Sequence, residues 1–185
     1  MTELEMHWHT LVPYVIRDVN TVNLGCGAEQ MPRFPFPITG IDTNPALFPP
    51  ANIIGDCRSE FVCGYIVPTF RQVISSHLLE DYEDWKNVLD QWLTRGLATH
   101  HKRRLLLLVP DKHKFRAAVA AGQPDNLAHK HEFTLGELTQ AVDALSRHYS
   151  GQVKFKVLTE SHVGAYGILF VVDSERYYED SILSE

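Results

Sequence analysis

The sequence predicts a three-layer α/β fold, with helices on both faces of a mainly parallel sheet and an antiparallel hairpin at the C-terminal end. Three observations lead there. Short apolar runs bounded by Gly, Pro or charge recur along the chain, as buried parallel strands should. Stretches between them carry helical periodicity. The last two strand-like runs are joined only by residues 159–166. A parallel crossover needs a dozen or more residues, so these two strands, as neighbours, run antiparallel.

The strand runs fall at residues 21–26, 38–42, 53–55, 72–75, 105–109, 153–158 and 167–172. Between the fourth and fifth, Trp85, Val88, Leu89, Trp92 and Leu93 share one helix face, which should cover the sheet. A second helix is expected from Thr134, where Thr134 and Glu137 have capping-box spacing and Phe133 and Leu138 that of a hydrophobic staple. Its apolar face is Leu138, Ala141, Val142 and Leu145. The Pro-rich stretches 32–37 and 45–50 read as loops. No repeat or long linker interrupts the chain, so its 185 residues read as one domain, 1–185, with a helical N-terminal segment 1–20 and a tail 174–185.

Composition narrows the function classes. With 44% hydrophobic and 22% charged residues the chain has the balance of a soluble globular protein. Its 17 Lys plus Arg against 23 Asp plus Glu give a net charge of −6. That offers no broad cationic surface for phosphate-driven binding, so nucleic acid is disfavoured as a partner. Lys102-Arg103-Arg104 reads as a solvated strand entrance. The longest apolar run, 105–109, is far short of the ~20 residues of a membrane helix. Glu3, Glu5, His7 and His9 precede any apolar stretch, unlike a secretory signal, so the cytoplasm is the expected compartment. Cys26, Cys57 and Cys63 lack C-x-x-C spacing and read as reduced thiols.

The chemistry gathers at the strand ends. The first strand runs into Asn23-Leu24-Gly25-Cys26-Gly27, a glycine turn at the sheet edge where α/β folds bind ligands. Two glycines let a cofactor approach the backbone. The second strand ends in Gly40-Ile41-Asp42, an acid where such folds present a carboxylate to ribose hydroxyls. The third ends in Gly55-Asp56-Cys57, a second acid suited to accept from an adenine amino group. The fourth ends in Ser75-Ser76-His77, followed by Leu78-Leu79-Glu80-Asp81 leading into the helix. Taken singly, each acid also reads as a helix N-cap or a solvated side chain.

This series, continued by Leu106-Leu107-Leu108-Val109-Pro110-Asp111, resembles the class I S-adenosylmethionine-dependent methyltransferases, a Rossmann-like fold. The likeness is to small bacterial and phage members whose first motif reads Asn-Leu-Gly-Cys-Gly, and it covers residues 20–172. The resemblance implies S-adenosylmethionine as cofactor. Gly25 and Gly27 would pass its methionine part, with Asn23 and Cys26 of the same motif also binding the cofactor, Asp42 hold the ribose, and Asp56 the adenine, with Cys57 beside it through its backbone. Ser75 and His77 would lie near the sulfonium and the acceptor pocket. Three departures stand out. Asn23 replaces the usual acid, a third glycine is replaced near Glu29, and Ala98-Thr99-His100-His101-Lys102 replaces a Lys-Pro-Gly-Gly turn.

The resemblance implies methyl transfer to an oxygen or nitrogen of an acceptor that the sequence does not identify, a small molecule or a protein or glycan side chain. The cofactor brings its own electrophile, so the protein need mainly align the acceptor and exclude water. A general base would help, and His77, Asp111, His113, His129 and His131 are the candidates near the expected site. For His129 and His131 three roles are open: helix entry, base or acceptor binding, and a metal site that lacks a third ligand at recognisable spacing. A nicotinamide dehydrogenase would need glycine where Gln30 stands. A non-catalytic binding or regulatory subunit of the same fold is the rival reading. Oligomeric state is not written in the sequence.

Overall fold

The computed structural model describes residues 7–27, 38–47, 52–95, 97 and 102–177. Seven strands form one sheet: β1 (Thr21–Leu24), β2 (Ile38–Asp42), β3 (Ile53–Ile54), β4 (Gln72–Ser76), β5 (Lys102–Pro110), β6 (Val153–Val163) and β7 (Gly167–Arg176). Their spatial order is β3-β2-β1-β4-β5-β7-β6. The first five are parallel, whereas β7 runs antiparallel to both β5 and β6. The terminal hairpin is therefore the one that the short connection requires. The chain steps outward from β1 to β3 and returns to lay β4 against the other side of β1. That reversal is the switch point at which such sheets open a ligand crevice beyond the strands' carboxyl ends.

Strand alternation sorts the core into two faces. Val22, Leu24, Val73, Leu105 and Leu107 point to one face, covered by α2 (Trp85–Thr94) and by α4 (Glu137–His148) through Leu138 and Val142. The five apolar residues of α2 are all buried, as the spacing predicts. Ile74, Leu106, Leu108, Leu169 and Val171 point to the other face, covered by Leu11 of the short α1 (Trp8–Leu11) and by Tyr14 and Val15 after it. α3 (Lys112–Ala120) follows β5 and buries Phe115. No helix of the described residues is long and apolar enough to cross a membrane.

Three expectations change. Helix α4 starts at Glu137, not Thr134, because Gly136 sits at φ +92 and interrupts the helical run. Glu137 still reaches back to the Thr134 N–H at 3.0 Å, as in a capping box, but the Gly136 and Thr139 amides donate to Glu160 of β6, at 2.8 and 3.1 Å. A cap supplied from a strand so distant in sequence is invisible to local spacing. β1 and β3 stop short of the runs read from the sequence, whereas β4 to β7 outrun theirs, most of all β6, an edge strand that carries Thr159, Glu160, Ser161 and His162 in the ladder. Finally, Arg103 is not solvated: it is 1% exposed, under the sheet's far edge. Residues 98–101, Glu29, Gln30, the loop 32–37 and the tail from 178 lie outside the described residues.

Candidate functional site

The glycine turn is shaped by backbone. Gly25 and Gly27 lie at φ +66 and +55, and the Gly25 and Cys26 amides donate to the Ile41 carbonyl. A Cβ on Gly25 would be strained at this φ and would crowd Leu78, whose Cδ2 lies 2.7 Å and Cβ 3.1 Å from it, so glycine suits the close approach of the segment after β4. Above Gly27 the opposite holds, with no atom of the described residues within 4 Å of where a Cβ would stand. Asp42, at the end of β2, accepts from the Gly27 amide at 2.9 Å through one oxygen and from the Asn44 amide at 2.9 Å through the other. Each carboxylate oxygen has a second lone-pair site, so the side chain both fixes the turn and keeps capacity for a pair of hydroxyl donors.

Asp56 sits on the same edge. Its oxygens take the Arg58 amide and Arg58 Nε, both at 2.9 Å, and the guanidinium lies 5.4 Å from the Tyr82 ring centroid. Cys57 beside it is buried, with its carbonyl accepting from Trp92 Nε1 at 2.9 Å and from the Cys63 thiol. Any contact of its backbone with a ligand therefore falls to its N–H. Burial pushes the Cys57 thiol up to about 12, against the pull of a Gly25 backbone hydrogen bond, so it is a neutral packing group. Cys26 is fully buried, as is Asn23, which lies in register with Gly40 and Ile74. Ser75, also buried, donates its hydroxyl to the Leu24 carbonyl at 3.1 Å and so ties β4 to β1.

His77 follows β4 in a left-handed backbone conformation, φ +53, held by its amide on the Leu108 carbonyl. For a residue with a Cβ this is strained and persists only when its surroundings impose it. Three residues on, Glu80 is fully buried and places Oε1 at 3.2 Å from His77 Nδ1 and 3.7 Å from His129 Nε2. The Glu80 carbonyl accepts the Lys130 and His131 amides, which docks the 129–131 strap onto this turn. The two strap histidines then diverge. His129 packs its ring on Phe115, 5.1 Å between centroids, and faces Glu80. His131 places Nε2 at 2.7 Å from Glu137 and lies against Trp85 and Phe133, in the helix-entry role.

After β5, Asp111 caps α3 through the Lys114 amide at 2.9 Å and meets His162 Nε2 at 3.1 Å. Burial pushes its carboxyl upward, but the Lys114 and His162 hydrogen bonds outweigh this and hold it below the ordinary value. His113 is exposed on the first turn of α3. Among the described residues no group of three or more His, Cys, Asp or Glu is arranged to hold a metal ion. Glu80 is the residue that the sequence reading did not single out. No local signal marks it, because the 129–131 strap that docks on its carbonyl is distant in sequence.

No model of a protein family matches the chain, and no curated protein matches it in sequence. Solved structures do match. The plantazolicin methyltransferase BamL, in complex with a triazolic desmethylPZN analogue and SAH, superposes with a TM-score of 0.63 at 12% identity, over 87% of this chain and 79% of that one. An S-adenosylmethionine-dependent methyltransferase from Mesorhizobium loti gives a TM-score of 0.63 at 15% identity, over 92% of this chain and 97% of that one. The small RNA methyltransferase HEN1 gives 0.58 at 16% identity, and there the chain spans 26% of its counterpart. These likenesses establish the fold: a mixed seven-stranded sheet of the class I methyltransferase type.

Proposed function

We propose that the protein binds S-adenosylmethionine at the ends of β1, β2 and β3 and transfers its methyl group to an oxygen or nitrogen of an acceptor, a small molecule or a protein or glycan side chain. The observation that carries this reading is Asp42 at the end of β2, its carboxylate already oriented by the Gly27 and Asn44 amides beside the positive-φ glycine turn. A pre-oriented acceptor group does not have to be ordered when ribose hydroxyls arrive, and this preorganisation favours binding. Neighbours of the same fold, BamL among them, are solved with SAH, which supports the assignment of the crevice to this cofactor.

When bound, the sulfonium supplies the electrophilic methyl group. The chain's own contribution is alignment and exclusion of water. Gly25 and Gly27 admit the methionine part, Asp42 takes the ribose, and Asp56 with Arg58 and Tyr82 borders the adenine side. His77 lies one residue before Leu78, which packs on the glycine turn, and this nearness supports a role for it between cofactor and acceptor. Its imidazole is the group that would take the acceptor's proton.

Calorimetry with S-adenosylmethionine, its demethylated product SAH and NAD tests the cofactor assignment. Binding of the first two in preference to NAD is expected. Tight NAD binding without a response to the others would sink it. Methyl transfer itself is tested with tritiated S-adenosylmethionine and mixed metabolite, glycan and protein acceptor pools, where a His77→Ala variant should retain SAH affinity and lose roughly 10²- to 10⁴-fold in transfer rate.

A further inference from the structure

The amino edge of the parallel strands, opposite the cofactor crevice, carries a pattern of charge that the proposed function leaves unused. Strand alternation continues from Leu106, Leu108 and Leu158 to place Lys102, Arg104, Lys154 and Lys156 on the α1 face of the sheet, and from Leu169 and Val171 to place Asp173 and Glu175 there. The registers align these six in two rows. Arg104 of β5 faces Asp173 of β7, which faces Lys156 of β6, and two residues along Lys102 faces Glu175, which faces Lys154. Each row therefore reads cation, anion, cation. Both rows border one cavity of about 400 Å³.

The two outer cations differ from the inner ones. Each acid is already engaged from the β5 side: Arg104 Nε and Nη2 donate to the two Asp173 oxygens at 2.6 Å, and Lys102 Nζ lies 3.0 Å from Glu175. Lys154 and Lys156 are exposed and make no ion pair or side-chain hydrogen bond among the described residues. The backbone that carries them is also unpaired on one side, since β6 bonds only to β7 and no described strand lies beyond it. An edge strand turns the N–H and C=O of alternate residues outward as a template for another chain, and lysines on it turn away basic strands.

We propose that residues 153–157 of β6 are a docking edge for an extended segment of another protein with acidic side chains at positions i and i+2. Such a segment adds an eighth strand and continues each row with an anion. Main-chain hydrogen bonds supply the affinity of strand addition and alternate side chains its specificity. Side chains on one face of a strand recur every second residue, so Lys154 and Lys156 select acids at that spacing. The site ends at the register shift between Val157 and Thr159. Beyond it Glu160 lies in register with Phe170 of the opposite face and is taken up by the Gly136 and Thr139 amides. A second copy of β6 would thus bring lysines to this edge with its own acid withheld. A phosphate backbone laid over the face would meet Asp173 and Glu175 between the cations, whereas a strand beside β6 meets Lys154 and Lys156 first.

The test uses the full chain and needs no cofactor, so its outcome is independent of the methyltransferase reading. The probe is the blocked peptide Thr-Thr-Glu-Val-Glu-Thr-Thr, with one control in which lysine replaces both glutamates and another in which the glutamates are adjacent. Amide hydrogen exchange is followed by NMR. At millimolar acidic peptide, alternate amides of residues 153–157 should slow by roughly tenfold or more, while those of Ile53 and Ile54 on the other edge strand stay unchanged. Lys154→Gln/Lys156→Gln should weaken binding of the acidic peptide by roughly tenfold, and Lys154→Glu/Lys156→Glu should take the lysine peptide in its place. The parent measurement alone can overturn the proposal: β6 amides that do not slow, or that slow equally with either control, would do so. A concentration-dependent dimer that protects the same amides would assign the edge to a second copy instead. Tighter binding of a single-stranded oligonucleotide, shifting the Lys154 and Lys156 signals without slowing β6 amides, would make the rows a phosphate site and equally end the proposal.

Discussion

Arg103 and Glu80 are both buried charges, at opposite edges of one sheet, and the molecule treats them in opposite ways. Arg103 directs its guanidinium at the carbonyls of Val67 at 3.0 Å, Trp92 at 3.2 Å and Phe70 at 3.3 Å, and also at that of Arg95. It has no carboxylate partner among the described contacts, and burial lowers its pKa to about 10, so it remains a cation at neutral pH. It gathers the end of α2, the turn at Val67–Thr69 and the start of β5 around one side chain. Glu80 ties nothing together with its side chain; its backbone carbonyl does that, and the carboxylate is left facing two imidazoles. A buried charge with its bonds filled is part of the scaffold. One with its bonds unfilled costs the fold stability.

The largest effect expected from this comparison is on folding. Arg103→Met keeps a long apolar side chain but strands the buried carbonyls of Val67 and Trp92, each costing about 1–3 kcal/mol when unmet, so roughly 2–6 kcal/mol in all is expected. Urea unfolding measures it. A loss below about 1 kcal/mol would show that water or a neighbouring donor serves those carbonyls and would break the contrast with Glu80.

Asp42 lies between the two extremes, its oxygens used once each and open for more. Asp42→Ala should therefore act on both ledgers unequally. SAH affinity should fall by about 1–3 kcal/mol, because two hydroxyls lose a charged acceptor, while unfolding changes less, since the turn is stabilised by the Ile41 carbonyl as well. Calorimetry and urea unfolding on the same preparation separate them. Undiminished SAH affinity would move the ribose site away from Asp42.

The fold, and the places of Gly25, Gly27 and Asp42 at the strand ends, were legible in the sequence for a common reason: their signals are local. Alternation and runs of Val, Ile and Leu write the strands, and Gly25, Gly27 and Asp42 stand next to the strands that position them. The hairpin direction followed from a connection too short for anything else. What was illegible depends on distant partners. Arg103 reads as solvated until Val67, Phe70 and Trp92 are folded around it, and the start of α4 depends on Glu160 from β6. Ser75 sits next to the expected site, but its hydroxyl is used by the neighbouring strand. Glu80 could not be told from a solvated helix-start acid, because its burial is made by the 129–131 strap folding back over the turn.

Asp111 offers the smallest and cleanest test, since it is a carboxylate near the same edge as Glu80 but with its partners in place. Asp111→Asn keeps an N-cap of nearly equal quality, so the Lys114 hydrogen bond to Oδ1 should survive. What is lost is the charged contact with His162, whose side chain is 40% exposed, and a pair so open to water contributes at most about 1 kcal/mol. The pH dependence fixes the sign. The folded-state pKa of Asp111 lies below its ordinary 3.8, so the unfolded chain binds the proton more readily. The group's stabilisation is then fully present above pH 3.8 and is lost as pH falls through the depressed folded value. Unfolding curves of parent and Asp111→Asn should differ by up to about 1 kcal/mol at neutral pH and converge as the solution is acidified below that window. A difference that grows on acidification would mean that Asp111 carries a raised pKa in the folded chain. It would then not belong with Arg103 in the scaffold.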